Sequence, residues 1–449
     1  MAKTVRERFL QGLGATALGP IVTILVQLIS VPVFLHSWGT KLYGEWLILS
    51  AIPTYIAFSD IGFSSVSAND MTIRVAMGDL KGALKTFQST WALVSSTSLL
   101  VGIIFLSGIY LLPVTRWLNL TTTSQSDARI ILILLLSFTL MSIQADLVCS
   151  GFRCEGNYAF GMLIKNTVRF TESLAATIVV AFHGSPLQAA ATYLIVLTTG
   201  TLAMAVIMTR KTPWLHYGLK HATFESTRRL ISPAFAYMAF PAGSALSIQG
   251  MVLVIAALLG PIAVATFSTM RTLTRFGFQI MESVKNSVWP ELSAAYGTQN
   301  WALARRLHRV ACQASLWISL GSVVFLALFG SRIIEIWTSG RIPMDVPAFH
   351  WLLIVIVANS FWYTSSVVTV ASNTHERIAA CYFAGTCVSL ILARFLIPHF
   401  GISGAAMSLL AIDLIVGWYV LNHSLVTLRE DTADFFASMF RFPEVNLWE

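Results

Sequence analysis

Charge is what this chain has least of. Only 11% of its 449 residues are Asp, Glu, Lys or Arg, and 56% are hydrophobic, with a mean hydropathy of +0.72. Soluble domains carry about 25% charged residues, so a soluble core would require many consecutive helices that are apolar all round. That composition belongs to a polytopic membrane protein. Acids are scarcer than bases, 21 against 29, which leaves a net charge of +8. Such a balance is also found in nucleic-acid binders, but Lys and Arg accumulate in the cytoplasmic loops of membrane proteins and contact anionic headgroups. No nucleic-acid partner is expected.

Cysteine is sparse as well. Cys149, Cys154, Cys312, Cys381 and Cys387 have no metal-ligand spacing and imply no disulfide framework. Catalytic signatures are missing: there is no HExxH, GxSxG, Walker loop or CxxC pair. The loops are too short for a nucleotide-binding domain. Neither an enzyme nor a resident cofactor is expected, and ATP is not the direct driver. The apolar run Gly14–Leu35 is too long for a signal-peptide core and lacks a clear cleavage site, so it reads as a retained first span.

Long apolar runs predict twelve helical spans, near 13–35, 46–67, 87–112, 128–150, 161–183, 187–209, 231–258, 263–286, 310–330, 347–371, 379–398 and 404–426. With the N-terminus inside, cytoplasmic segments hold 19 of the 29 Lys and Arg, outer loops hold 4, and 6 lie in spans or at their edges. That asymmetry puts both termini in the cytoplasm. The basic stretch 211–230 predicts a linker between a lobe at 1–210 and a lobe at 231–426, followed by an amphipathic cytoplasmic tail at 427–449. An internal repeat supports two six-helix lobes related by parallel duplication. Pro20 and Pro241 are 221 apart, Gly39 and Gly260 also 221, Gln27 and Gln249 222, and Gly78 and Gly297 219.

One stretch organises the rest. On a helix from Gly260 onward, Arg271, Thr274, Arg275, Phe278, Glu282 and Lys285 share one face, and Leu273, Phe276, Ile280 and Val284 the other. Ionisable groups at membrane depth are costly and belong in a bundle interior or a watery cavity. The helix runs on through Trp289-Pro290-Glu291-Leu292-Ser293 to Gly297 and the basic run Arg305, Arg306, His308, Arg309.

That stretch, together with Gly39, Tyr43-Gly44, Asp60-Ile61-Gly62, Gly78-Asp79, Ala83, Glu155-Gly156-Asn157 and Gly401-Ile402-Ser403-Gly404-Ala405-Ala406, resembles the polysaccharide transporter family of the MOP superfamily, the Wzx-type O-antigen flippases. The resemblance covers nearly the whole chain. It implies two six-helix lobes around a central cavity in a bacterial inner membrane. It implies translocation of undecaprenyl-diphosphate-linked oligosaccharide by alternating access, coupled to a proton or sodium gradient. Membrane lipids and polysaccharide polymerase machinery are the other implied partners. Related lipid II flippases usually carry two additional spans, so twelve spans favour the O-antigen type.

A diphosphate crossing about 30 Å of hydrocarbon needs cationic groups, and arginine binds phosphate oxygens with a planar fork. The substrate-binding candidates are therefore Arg271 and Arg275 in span eight and Lys165 and Arg169 in span five. The alternatives are local ion pairs, Arg275 with Glu282 and Arg169 with Glu172, or snorkelling of Lys165 to the interface. Asp60, on a face with Ser64 and Ser67, is the first candidate for the coupling ion, or else a salt-bridge partner of an intramembrane arginine or a structural turn; Glu172 is the second, ahead of Asp146 and Asp413. Thr16, Pro20, Thr23, Gln27 and Ser30 form a polar stripe along span one, which makes Thr23 and Gln27 cavity-lining candidates beside Glu282, or else ordinary helix–helix glue. Arg394 and Asp413 read as a structural pair. Two rival functions remain. A cation-coupled multidrug antiporter of the same superfamily would need acidic cavity residues. A membrane polysaccharide polymerase or glycosyltransferase would need a large outer loop.

Overall fold

The computed structural model describes residues 5–60, 62–372 and 376–440. Ile61, Lys3 and Arg441 lie outside them, as do the side chains of residues 5–21 and 232–241 and those of Pro290 and Glu291. The described residues form helices and contain no strand. Helix is the form that satisfies every backbone N–H and C=O within its own segment, as hydrocarbon requires. The chain divides into two compact units, Met1–Met238 and Ala239–Glu449.

Unit 1 contains α1 (Val5–Thr54), a 3-10 turn (Tyr55–Asp60), α2 (Phe63–Ala76), α3 (Leu80–Leu111), the short α4 (Val114–Trp117), α5 (Gln125–Cys154), α6 (Tyr158–Ala181) and α7 (Pro186–Lys211). The helix α8 (Phe224–Ala245) runs from unit 1 into unit 2. Unit 2 continues through a π turn (Leu246–Gly250), α9 (Met251–Leu259), α10 (Pro261–Gly297), α11 (Trp301–Trp337), α12 (Val346–Tyr363), α13 (Val367–Ala371), α14 (Glu376–Phe400), α15 (Ile402–Leu428) and α16 (Thr432–Met439).

Nine helices among the described residues are long and apolar enough to cross a membrane. Three expected spans are missing from that number, each for a physical reason. The span expected at 46–67 is not one helix: α1 ends at Thr54, a 3-10 turn follows, and α2 starts after Gly62, which takes a left-handed φ of 73°. Lys165, Arg169 and Glu172 lower the hydropathy of α6, as Arg271, Arg275, Glu282 and Lys285 do that of α10. Lipid-facing surface is recognisable elsewhere, as in the exposed Leu99, Leu100, Ile103 and Ile104 of α3 and Val324, Phe325, Leu328 and Phe329 of α11.

The duplication is visible in the backbone. Gly39 (φ 73°, ψ 172°) kinks α1, and Gly260 (φ 81°, ψ −176°) separates α9 from α10. Both conformations suit only glycine. The hairpins α2–α3 and α10–α11 repeat one hydrogen-bond pattern. Gly78 N donates to Val75 O, Asp79 N to Arg74 O and Ala83 N to Asp79 O; Gln299 N donates to Tyr296 O, Asn300 N to Ala295 O and Ala304 N to Asn300 O. Asp79 caps α3 through Gly82 N, and Asn300 caps α11 through Leu303 N. The equivalent of Gly78 is therefore Gln299, at the same spacing of 221 as Gly39 and Gly260, and not Gly297 as the sequence suggested. Gln299 holds a left-handed φ of 56° where the first copy has glycine. The Gly82 N–H and then Arg74 hold the Asp79 carboxyl below its usual range.

The stretch 211–230 packs on unit 1. Gln88 Nε2 donates to His216 O, His221 N donates to Gln88 Oε1 at 2.8 Å, and Trp214 Nε1 donates to Glu155 at 2.6 Å. Burial in this seat pushes the Tyr217 hydroxyl up to about 12. The segment after α15 packs within unit 2: Phe435 of α16 is fully buried and stacks on His308 at 5.2 Å, and Gln313 donates to Ser438 O. Glu430 joins them, ion-paired to Arg309 and 3.6 Å from His308 Nδ1. Burial alone would raise its carboxyl, but His308 and Arg309 outweigh that and hold it below the ordinary range.

Two predictions follow from these contacts. A non-glycine residue in the left-handed region costs roughly 1–2 kcal/mol. Gln299→Gly should therefore raise the unfolding temperature of the purified protein in detergent and Gly78→Gln should lower it. Shifts of equal sign would disprove the equivalence of the two hairpins. A carboxylate with a depressed folded-state pKa stabilises the protein above its unfolded value and loses that contribution as the pH falls through the folded one. Glu430→Gln should cost about 2 kcal/mol at pH 7, and the gap to wild type should close below about pH 4. A gap independent of pH would mean that the Glu430 charge contributes nothing.

Candidate functional site

Unit 2 contains a cavity of about 300 Å³ bounded by α10, α12, α14, α15 and the α8–π-turn segment. The α10 wall follows from helical spacing: Arg271, Thr274, Arg275, Phe278 and Glu282 line it, together with Gln279. Lys285 lies further along the helix, donating to Ser366 Oγ at 2.8 Å with its ammonium 4.4 Å from the Tyr363 ring centre. Of the opposite face, Ile280 is exposed but Leu273 is buried, so that face is not uniformly lipid-facing.

Arg271 is anchored by the π turn, donating to Ser247 O at 3.0 Å and Ser247 Oγ at 3.3 Å. A π turn shifts the backbone bonding by one residue and tends to mark functional sites; here Ser247 O accepts from a guanidinium. Arg275, one turn on, is exposed to the cavity with Tyr363, Tyr382 and Glu282 in electrostatic range. No ion pair joins Arg275 to Glu282 among the described residues. Glu282 sits beside the Tyr363 hydroxyl instead.

Asp413 also faces this cavity, accepting from Asn359 Nδ2 at 3.0 Å and Trp362 Nε1 at 2.8 Å. The expected pair with Arg394 is not formed: Arg394 is exposed on α14, and the α12 amide and indole satisfy the carboxylate. Sequence reasoning passed over Asn359, Trp362 and Tyr363, which lie in a span without Asp, Glu, Lys or Arg, and Tyr382 on α14. The available signal was a buried-depth Asn beside Trp and Tyr in an otherwise apolar run.

The other candidates belong to unit 1. Lys165 is ion-paired with Asp146 of α5. Arg169 is exposed and forms no ion pair with Glu172 among the described residues. Glu172 is 7% exposed, its Oε2 has no hydrogen-bond partner, and Lys165 and Arg169 lie in electrostatic range. Asp60 ends the 3-10 turn and accepts from Ser64 N and Oγ, at 3.2 and 2.8 Å. Thr23 and Gln27 are half-buried on α1. Glu45, unremarked in the sequence, is fully buried and accepts from the backbone N–H groups of Thr121, Thr122 and Thr123.

No family model matches the sequence, and no curated protein does. Solved structures do. A multidrug resistance MATE family transporter of the MOP superfamily, in an inward-facing conformation, superposes with a TM-score of 0.77 at 14% identity over 92% of this chain and 98% of its own. The chain shares the fold of that transporter. The MATE multidrug transporter DinF-BH in complex with R6G gives 0.66 at 14% identity over 96% and 97%. A MOP-superfamily transporter from Pyrococcus furiosus Vc1 (DSM3638), described as having a binding pocket of reverse polarity that suggests a different function, gives 0.65 at 14% over 97% and 96%. Identities this low establish the fold alone, so what this chain does has to be argued from its side chains.

The Lys165–Asp146 pair yields a direct check. Both side chains are more than a third exposed, so the pair is worth about 1 kcal/mol or less. Lys165→Ala should lower membrane abundance slightly, and Lys165→Ala with Asp146→Ala should restore it. If the double variant is as scarce as the single one, Lys165 acts through something other than this pair.

Proposed function

We propose that this chain is a flippase for undecaprenyl-diphosphate-linked oligosaccharide, an O-antigen or other surface-polysaccharide unit, moving it across the bacterial inner membrane by alternating access. The observation that carries the reading is the pair of arginines one turn apart on α10, open to the cavity and joined to no carboxylate among the described residues. Two guanidinium forks suit the diphosphate. An isolated charge at this depth is retained for function more often than for stability. In this reading 1–210 and 231–426 are the lobes, 211–230 the linker and 427–449 the tail, with both termini cytoplasmic. Asp60 and Glu172 carry the coupling proton or sodium, Lys165 and Arg169 are further substrate-binding residues, and Thr23 and Gln27 are cavity-lining ones.

A second reading, a cation-coupled multidrug antiporter, is favoured by Glu282 and Asp413 in the same cavity and by the multidrug transporters that share the fold. The reverse-polarity pocket described for the Pyrococcus furiosus transporter supports treating pocket charge, not fold, as the guide to cargo. Asp413 is buried and already accepts from Asn359 and Trp362, while Arg275 is exposed and lies one turn from Arg271 on α10, which favours an anionic head group.

The test uses cells whose surface glycan depends on this protein. Arg271→Ala and Arg275→Ala should keep normal membrane abundance and lose surface glycan, with retention of the diphosphate falling roughly ten- to a hundredfold. The Lys variants should keep partial function. Rescue of glycan by adding Glu282→Ala to Arg275→Ala would sink the substrate-binding reading. Resistance to a cationic dye that is lost in Glu282→Ala and kept in the arginine variants would establish the antiporter instead.

A further inference from the structure

The two arginines of the unit 2 cavity are held differently. Arg275 is exposed, whereas Arg271 gives N–H groups to a single residue, Ser247, at its carbonyl oxygen (3.0 Å) and its hydroxyl (3.3 Å). In a continuous α-helix that carbonyl would be taken by the N–H four residues on. The π turn releases it: Met251 N–H, which would bond Ser247 O in an α-helix, bonds Ile248 O instead. Ser247 O is thereby open to the guanidinium, and the buried Ser247 hydroxyl takes the second nitrogen.

The first copy of the duplication lacks both ends of this contact. At the spacing of 221 that relates Gly39 to Gly260, Arg271 corresponds to Ser50 and Ser247 to Val26. Ser50 donates to Trp46 O of its own helix, and α1 is α-helical on both sides of Gly39, with no π turn among the described residues. The π turn and the arginine are present together in unit 2 and absent together from unit 1. A guanidinium has five N–H donors in one plane. Two are spent on Ser247, which fixes that plane and leaves the others for a ligand in the cavity that both residues line. A group ordered before binding loses less freedom when the ligand arrives.

We propose that Ser247 is a positioning residue: through the π turn it presets Arg271 as the fixed cation of the site, and it acts on the diphosphate only through that arginine. Arg275, with no such anchor among the described residues, is the cation that adapts. The inference rests on the flippase reading, and its test separates the two. The full chain in nanodiscs is titrated calorimetrically with farnesyl diphosphate, against empty nanodiscs. Ser247→Ala should weaken binding about three- to tenfold. That loss should vanish when Arg271 is already Ala and persist in full when Arg275 is Ala instead, a coupling that a merely structural serine would not produce. Arg271→Lys should lose more than Arg275→Lys, because an ammonium has no planar fork to be held. Deleting Ile248, which removes the extra residue and returns Ser247 O to the helix, should weaken binding roughly ten- to a hundredfold, as Arg271→Ala does. If the deleted chain does not fold, the Ser247→Ala cycle decides alone. Wild-type affinity in Ser247→Ala, or a loss that persists in the Arg271→Ala background, overturns this inference and leaves the flippase reading in place. Absence of farnesyl diphosphate binding to the folded wild type overturns both.

Discussion

An ionised group at membrane depth needs a partner, a cavity or a backbone donor, and most of this structure answers that requirement. Hydrocarbon supplies no water to satisfy it. Asp146 holds Lys165, the Ser64 N–H and hydroxyl hold Asp60, and an amide and an indole hold Asp413. Arg271 is held by the π turn. Where no partner is built, as for Arg275, the group opens into the cavity. The uncharged stretches 87–111 of α3 and 310–330 of α11 face outward with bulky apolar side chains.

The two hairpins show how a duplication keeps its geometry while its residues drift. Each copy needs a left-handed residue followed by an Asx cap. Gly78 meets the first need at no steric cost, and Gln299 meets it with strain. The Asp79 and Asn300 side chains cap alike because both present an oxygen to the N3 amide. The hairpins then take different neighbours: Asp70 ties Arg74, Thr86 and Arg229 together in the first, while Leu292 and Ala295 pack with Leu307 and Val367 beside the second.

Helical class, membrane residence and the two-fold repeat were legible in the sequence because each rests on local or periodic properties: hydropathy over about 20 residues, glycines at a constant spacing, and helical phase. The α10 polar face was legible for the same reason, since residues three and four apart on one helix share a side whatever surrounds them. The break in the span at 46–67 was harder to see, because Tyr55–Asp60 is as apolar as its flanks and only the left-handed Gly62 marks the new start.

By itself the sequence determined that this is an all-helical, multi-span, duplicated chain with clusters of charge on one face of each of two helices, α6 and α10. Only the tertiary structure decided which charges meet. Asp413 and Asn359 are 54 residues apart and Lys165 and Asp146 are 19 apart, and helix crossings set such contacts, which no intrahelical period encodes. The sequence could name Arg394 as a partner for Asp413, but the rotation of α15 against α12 turned that carboxylate toward an amide and an indole. One wall of the cavity was therefore readable from spacing along α10, and the opposite wall existed only once α12, α14 and α15 had packed against it.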